Sequence, residues 1–408
     1  MQRFGFLKHL IWRASLSATS DISRLGKDLT AAATQKVTTK VTPSLQEYVK
    51  CALTESTYRN LRSVVLSADD SDTAQMEVQD ILLSDSRLPS RRGKLNADDW
   101  NRYPHLAVVL GFLREGTYSM LVRGQSFLSF VTDEEKKALL STSVLPSSKF
   151  PTPFLFSLEQ KLLLMFSLIE ADGRVLKELY RRILVSSATF TDREAGDLLP
   201  EVYRIIAEEL KEKARIGSDF LAIQKLSESA DRIQAVKIRS NPGGKNPREN
   251  AIAIRLEPFV DWGILRKPDP FSYRYELSDS TQIFFGNLTQ VSDVEEFLSN
   301  HFFLTSIKTL GINGQHSSEP EHLVAGLQKA YSNLKSPLGY APILELCVFA
   351  GISSLTDSGR YFEISEAKDF LKALQKEMPY LVRFNVNRMG ELSFVKFTDD
   401  IMACLAKG

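Results

Sequence analysis

The sequence predicts a mainly α-helical chain with small β-hairpins, an α+β protein organised as tandem modules. Three observations carry that reading. Apolar residues recur at helical spacing through much of the chain, as in Leu158, Leu162, Met165, Phe166 and Ile169. Strand-like runs are few and short, and each follows a helical stretch: YSMLV (118–122) with SFLSFV (126–131), FSYRYEL (271–277), and LVRFNV (381–386) with ELSFVKF (391–397). Pro- and Ser-rich breaks then divide the chain, the clearest being STSVLPSSKFPTP at 141–153, with three prolines and four serines.

Taken in order, residues 1–95 form an N-terminal helical region. Its first twenty residues carry Arg3, Lys8 and Arg13 and no acid, with Phe4, Leu7 and Ile11 on one helical face. That composition fits a transit peptide or a membrane-surface helix. The expectation taken is a helix docked on the protein's own body or on a partner, with a membrane surface as the lesser alternative. Residues 96–140 read as a helix and hairpin. Leu106, Val109, Leu110 and Leu113 make the helical stripe, and the two β-rich runs on either side of RGQ make the hairpin.

After the 141–153 linker comes a helical domain over 154–280. One stripe ends at ADG (171–173), and Val175, Leu176, Leu179, Tyr180 and Ile183 begin another. Thr191 and Glu194 have capping-box spacing, so a long helix follows them toward Arg215. A further helical pair spans 219–239. The loop NPGGKNPREN (241–250) then leads into the apolar run AIAIRLEPFVDWGIL, which reads as a helix although Ile252, Ile254 and Leu256 also alternate as in a strand. In FSYRYEL, Phe271, Tyr273, Tyr275 and Leu277 share one face and Ser272, Arg274 and Glu276 the other, the pattern of a half-buried strand.

The last domain covers 281–408. Ile343, Leu344, Leu346 and Cys347 suggest a buried helix. Ser365 is placed to cap a helix from Glu366 to about Glu377, which Pro379 stops. LVRFNV and ELSFVKF then form the best hairpin in the chain, with NRMG (387–390) as its turn.

Helices that end in a two-stranded hairpin resemble the winged-helix family, in which a three-helix helix-turn-helix core is followed by a β-hairpin wing. RLEPFVDWGILRKPDPFSYRYELSD at 255–279 carries the most specific likeness, to a third helix and its wing. Residues 340–397 and 98–131 carry fainter ones. Pro258 departs from the pattern, because a proline there kinks a recognition helix unless it sits near an end. The resemblance implies tandem winged-helix-like modules that bind DNA or hold partner proteins.

Composition narrows the chemistry. The chain has 408 residues, with Lys plus Arg 51 and Asp plus Glu 50, a formal net charge of +1. That excludes a protein coated for non-specific nucleic-acid binding and leaves room for a local basic face. Cys51, Cys347 and Cys404 form no CxxC pair, as expected of a reducing, cytoplasmic setting. No run reaches about 18 uninterrupted apolar residues, so no transmembrane helix is expected.

Catalytic motifs do not survive inspection. GGK (243–245) lacks the first glycine and the following Ser or Thr of a phosphate loop. PD at 268–269 with Glu276 lacks the lysine of a metal-dependent nuclease, since Ser278 stands there. Glu257 and Asp261 share a helical spacing, but Arg255 beside them suits a solvated face. Neither a catalytic residue, a metal ligand nor a cofactor is assigned.

The positive signal is electrostatic. Between 232 and 255 the bases are Arg232, Lys237, Arg239, Lys245, Arg248 and Arg255, and Glu249 is the one acid, a local charge of +5. Asn241, Asn246 and Asn250 accompany them, and Arg248 and Asn250 stand at an expected helix N-terminus, a setting suited to phosphate. Arg91, Arg92 and Lys94 form a smaller patch, and the C-terminal hairpin offers Arg383, Arg388 and Lys396. Together these predict a non-catalytic DNA-binding and assembly subunit of a bacterial DNA-handling or phage-defence complex, with double-stranded DNA and partner subunits as ligands. The alternatives are a protein-interaction scaffold that binds no nucleic acid and a metal-dependent nuclease with a dispersed site.

Overall fold

A computed structural model describes residues 7, 8, 11, 14, 15, 105–132, 156–186, 188–214, 217–235, 247–268, 273–386 and 392–398. The protein is mainly helical, with short strands in small sheets. It divides into two compact units. The first comprises Met1–Gln2, Ile169–Phe297 and Lys308–Gly311, and the second Arg3–Leu168, Leu298–Ile307 and Ile312–Gly408. Among the described residues, no helix is long and apolar enough to cross a membrane.

The first unit takes the chain from the latter part of helix α2 (Leu158–Ser186) into strand β1 (Thr189–Thr191) and helix α3 (Asp192–Lys213). The capping box forms as the sequence predicts: Glu194 N donates to Thr191 Oγ1 at 3.1 Å, and Thr191 N donates to Glu194 Oε2 at 2.7 Å. Helices α4 (Gly217–Ala235) and α5 (Pro247–Asp261) both pack on α3. Strands β2 (Leu265–Arg266) and β3 (Arg274–Leu277) follow, and the sheet order is β1-β3-β2, all antiparallel. Helix α6 (Asp279–Gln290) and the start of α7 (Val294–Asn300) come next. An aromatic core holds the unit, with Tyr180 stacked on Phe285 at 3.4 Å and Phe259 packed edge-on against Trp262 and Phe285.

The second unit contains helix α1 (Val122–Ser129), the start of α2, most of α8 (Phe302–Leu310), and α9 (Pro320–Leu334), β5 (Ala341–Pro342), α10 (Ile343–Ser358), α11 (Ile364–Glu377), β7 (Val382–Val386) and β8 (Leu392–Phe397). Its main sheet has the order β5-β8-β7, again antiparallel. A second, parallel pair joins β4 (Gln315–His316) to β6 (Arg360–Tyr361). Leaving out β6, which lies between α10 and α11 and pairs with β4, each unit runs helix, strand, helix, helix, strand, strand, and the last strand of its three-stranded sheet lies between the other two. The first unit adds α4 to this order.

Several expectations are corrected. Residues 122–129 are helix, not the second arm of a hairpin, and only an isolated bridge joins Leu113 to Met120. The helix buries Arg123, Ser126 and Phe127, at i, i+3 and i+4, and Arg123 donates to Glu345 of α10 through Nη2 at 2.7 Å. The two stripes over 158–183 belong to one helix that does not stop at ADG. Gly173 serves packing there, because a Cβ would lie 2.7 Å from Val294 Cγ1. Residues 217–235 make one helix rather than a pair, whereas 252–256 is helix as expected, despite its strand-like alternation. Glu363, not Ser365, caps α11 in a box with Glu366. Leu7 and Ile11, in the N-terminal helical stretch, are fully buried, so their face docks on the chain itself.

Candidate nucleic-acid interface

The outer face of the C-terminal sheet is built by register. Arg383 on β7 stands opposite Lys396 on β8, and Asn385 stands opposite Phe394. Pro342 of β5 flanks Phe394 from the other side. Residues directly opposite share a face and alternate residues return to it, so Arg383, Asn385, Phe394, Lys396 and Pro342 point one way. Val382, Val395 and Phe397 point into the core and are buried. Arg383 is exposed, and Phe394 is 43% exposed despite its size.

Like charges directly opposite each other weaken a strand pair. Arg383 and Lys396 are such a pair, and neither has an ion-pair partner among the described residues. Lys396 Nζ donates to Leu338 O at 3.1 Å and lies 5.4 Å from the centre of the Tyr340 ring. No acid occurs in β7 or β8. The first unit's sheet is the control: Arg266 there stands opposite Glu276, a pair of opposite sign. The uncompensated positive face is therefore particular to the C-terminal sheet. Helix α11 adds Lys368, Lys372 and Lys376, spaced by four residues on one helical face, with Lys372 bound to Asp369 at 2.8 Å.

The residues singled out in the sequence fare differently. Arg248 and Asn250 fall in the first turn of α5, as expected, and Pro247 opens that helix. Arg255 is corrected as a surface contact. Its guanidinium pairs with Asp172, donating through Nη2 at 3.2 Å, and it lies over the Tyr203 ring at 5.8 Å. Burial alone would lower its pKa, but Asp172 and Tyr203 together outweigh that and raise it. Most of α5 that follows is core: Ile252, Leu256, Glu257 and Phe259 are buried. Arg91, Arg92, Lys94, Arg239, Asn241, Lys245, Asn246 and Arg388 lie outside the described residues.

Buried titratable groups elsewhere serve the fold. Glu257 accepts from Tyr275 Oη at 2.9 Å and pairs with Lys267, all three being almost wholly buried. Burial, then Glu257, pushes the Tyr275 hydroxyl well above its ordinary pKa. The Cys347 thiol is pushed up to about 12 by burial, the environment of an inert structural thiol. Among the described residues no group of three His, Cys, Asp or Glu side chains is placed to hold a metal ion.

Phe394 and the lysines of α11 were not singled out in the sequence. The signal for the first was the alternation in ELSFVKF, which puts Phe394 beside Lys396 on one face. No family model, curated protein or solved structure matches the chain.

Proposed function

We propose that this protein is a non-catalytic DNA-binding and assembly subunit with two winged-helix-like modules, and that the outer face of its C-terminal sheet contacts DNA phosphates. The observation that carries the reading is the cross-strand pair of Arg383 and Lys396, two like charges that weaken the sheet they sit on. An anion lying across them turns that local cost into binding. The connectivity supports the modular part: apart from α4 in the first unit and β6 in the second, the order is helix, strand, helix, helix, strand, strand with the last strand central, that of a helix-turn-helix core followed by a wing. In this reading α11 is the groove-facing helix of the second module, and β7–β8 is its wing. Arg248, in the first turn of α5, belongs in this reading to a separate phosphate contact on the first module, to which Lys245, two residues before the helix in sequence, is assigned. Double-stranded DNA is the proposed ligand.

A scaffold that binds protein alone is the second reading. It draws on Val386 and Leu392 near the hairpin end, 61% and 37% exposed, with Tyr380 63% exposed on the approach to β7. Such a patch suits a partner surface.

Fluorescence anisotropy with labelled duplex DNA, single-stranded DNA and RNA across a salt series separates the two. The DNA reading requires duplex binding whose affinity falls steeply with salt. A chain that binds none of the three at low salt is a scaffold.

A further inference from the structure

A cleft of about 460 Å³ opens beside the same sheet, between the last turn of α9 and the end of β8. Its size is that of a small-ligand site. Lys335 and Lys396 line it, together with the hydroxyl-bearing residues Tyr331, Ser332, Ser336 and Thr398, and no carboxylate is among its lining residues. Gly339 also lines it and holds φ at +80°. A Cβ placed there would come within 3.5 Å of Lys396 Nζ and 3.6 Å of Tyr331 Oη, so the two groups converge over the bare backbone. Tyr331 Oη donates to Gly339 O at 2.6 Å, which ties that loop to α9.

We propose that this cleft is a phosphate-binding site. Two lysines lining one space with no acid match the charge of a phosphate monoester or diester, while the Tyr331, Ser332 and Thr398 hydroxyls spend their protons on backbone carbonyls. The carboxyl end of α9 sets about half a negative charge nearby. Two full positive charges exceed it, so the net field attracts an anion. Each ammonium also keeps donors to spare, since a lysine carries three and Lys396 uses one on Leu338 O. The site shares Lys396 with the proposed DNA face, but Lys335 belongs to the cleft alone. The phosphate comes either from a free phosphorylated molecule or from a nucleic-acid strand.

The test is isothermal titration at constant ionic strength with inorganic phosphate, thymidine monophosphate, and oligonucleotides with and without a 5′-phosphate. Wild type is compared with Lys335→Met, Lys335→Arg and Lys396→Met. Lys335 is exposed, so its variants keep the fold, and an unchanged thermal midpoint checks this. The expected result is saturable phosphate binding with one site per chain. Lys335→Met and Lys396→Met each weaken it at least fivefold, and Lys335→Arg retains most of it. Equal affinity for the mononucleotide and the phosphorylated oligonucleotide identifies a free ligand. A gain confined to the 5′-phosphorylated strand identifies a strand end. Phosphate binding without any oligonucleotide binding leaves the cleft standing and removes the DNA reading. No phosphate binding by wild type, or binding indifferent to both methionine variants, overturns the proposal.

Discussion

Arg383 and Lys396 face each other across neighbouring antiparallel strands, and neither has an ion-pair partner among the described residues. Reversing one of these charges has two effects of opposite sign. Arg383→Glu replaces a repelling pair with an attracting one, and stability rises by a few tenths of a kcal/mol, up to about 1. On the proposed reading DNA affinity falls at the same time, because the proposed phosphate contact becomes a repulsion. Urea denaturation and anisotropy on the same sample check both halves. Loss of binding through misfolding would move stability the other way.

Glu257 and Lys267 form a pair with side-chain exposures of 1% and 4%, joining α5 to the turn after β2. Lys267→Met strands a buried carboxylate and costs about 3–5 kcal/mol. Glu257→Leu combined with Lys267→Met recovers part of that loss, since no charge is left buried. A double-mutant cycle by chemical denaturation measures the coupling.

Gly173 lies in mid-helix against Val294. A methyl group there meets Val294 Cγ1 at 2.7 Å and Ile169 Cγ2 at 3.1 Å, so a neighbour has to shift to admit it. Gly173→Ala is expected to destabilise the first unit by about 1–3 kcal/mol, although alanine is the better helix former. A gain in the thermal midpoint would show that the contact yields.

Glu363 caps α11 and accepts N–H bonds from Phe303 at 3.1 Å and Leu304 at 2.8 Å. Burial raises its pKa from 4.5 to about 7, against the pull of those two bonds. The folded chain thus holds the proton more tightly than the unfolded one. The stability this contributes is present below the ordinary carboxylate range and is lost as pH rises through about 7. Glu363→Gln removes that dependence. Thermal midpoints of wild type and variant, compared from pH 4.5 to 8, should converge at the acid end and separate above neutrality, with wild type the lower.

Local signals in the sequence were reliable where the partner was also local. The Thr191–Glu194 box and the end of α11 before Pro379 depend on neighbours within a few residues, and the strands of the 382–397 hairpin pair across at most fifteen. The failures share a distant partner. YSMLV and SFLSFV look like strands, but Arg123 is drawn into a helix that packs on Glu345, 222 residues away. Arg255 looked like a phosphate contact because Asp172, 83 residues back, does not appear in its local pattern. Gly173 looked like a helix stop because Val294 was out of view. The basic face was half legible. Arg383 and Lys396 were visible as charges, but their opposition depends on a register that includes a shift between Asn385 and Val386.

The most direct measurement is duplex-DNA anisotropy from low to high salt for wild type, Arg383→Glu and Lys245→Ala/Arg248→Ala. The account predicts steeply salt-dependent binding by wild type and at least a tenfold loss in Arg383→Glu, with the slope of log affinity against log salt shallower by about 1 or more. Duplex binding by Arg383→Glu at wild-type affinity and slope would contradict it.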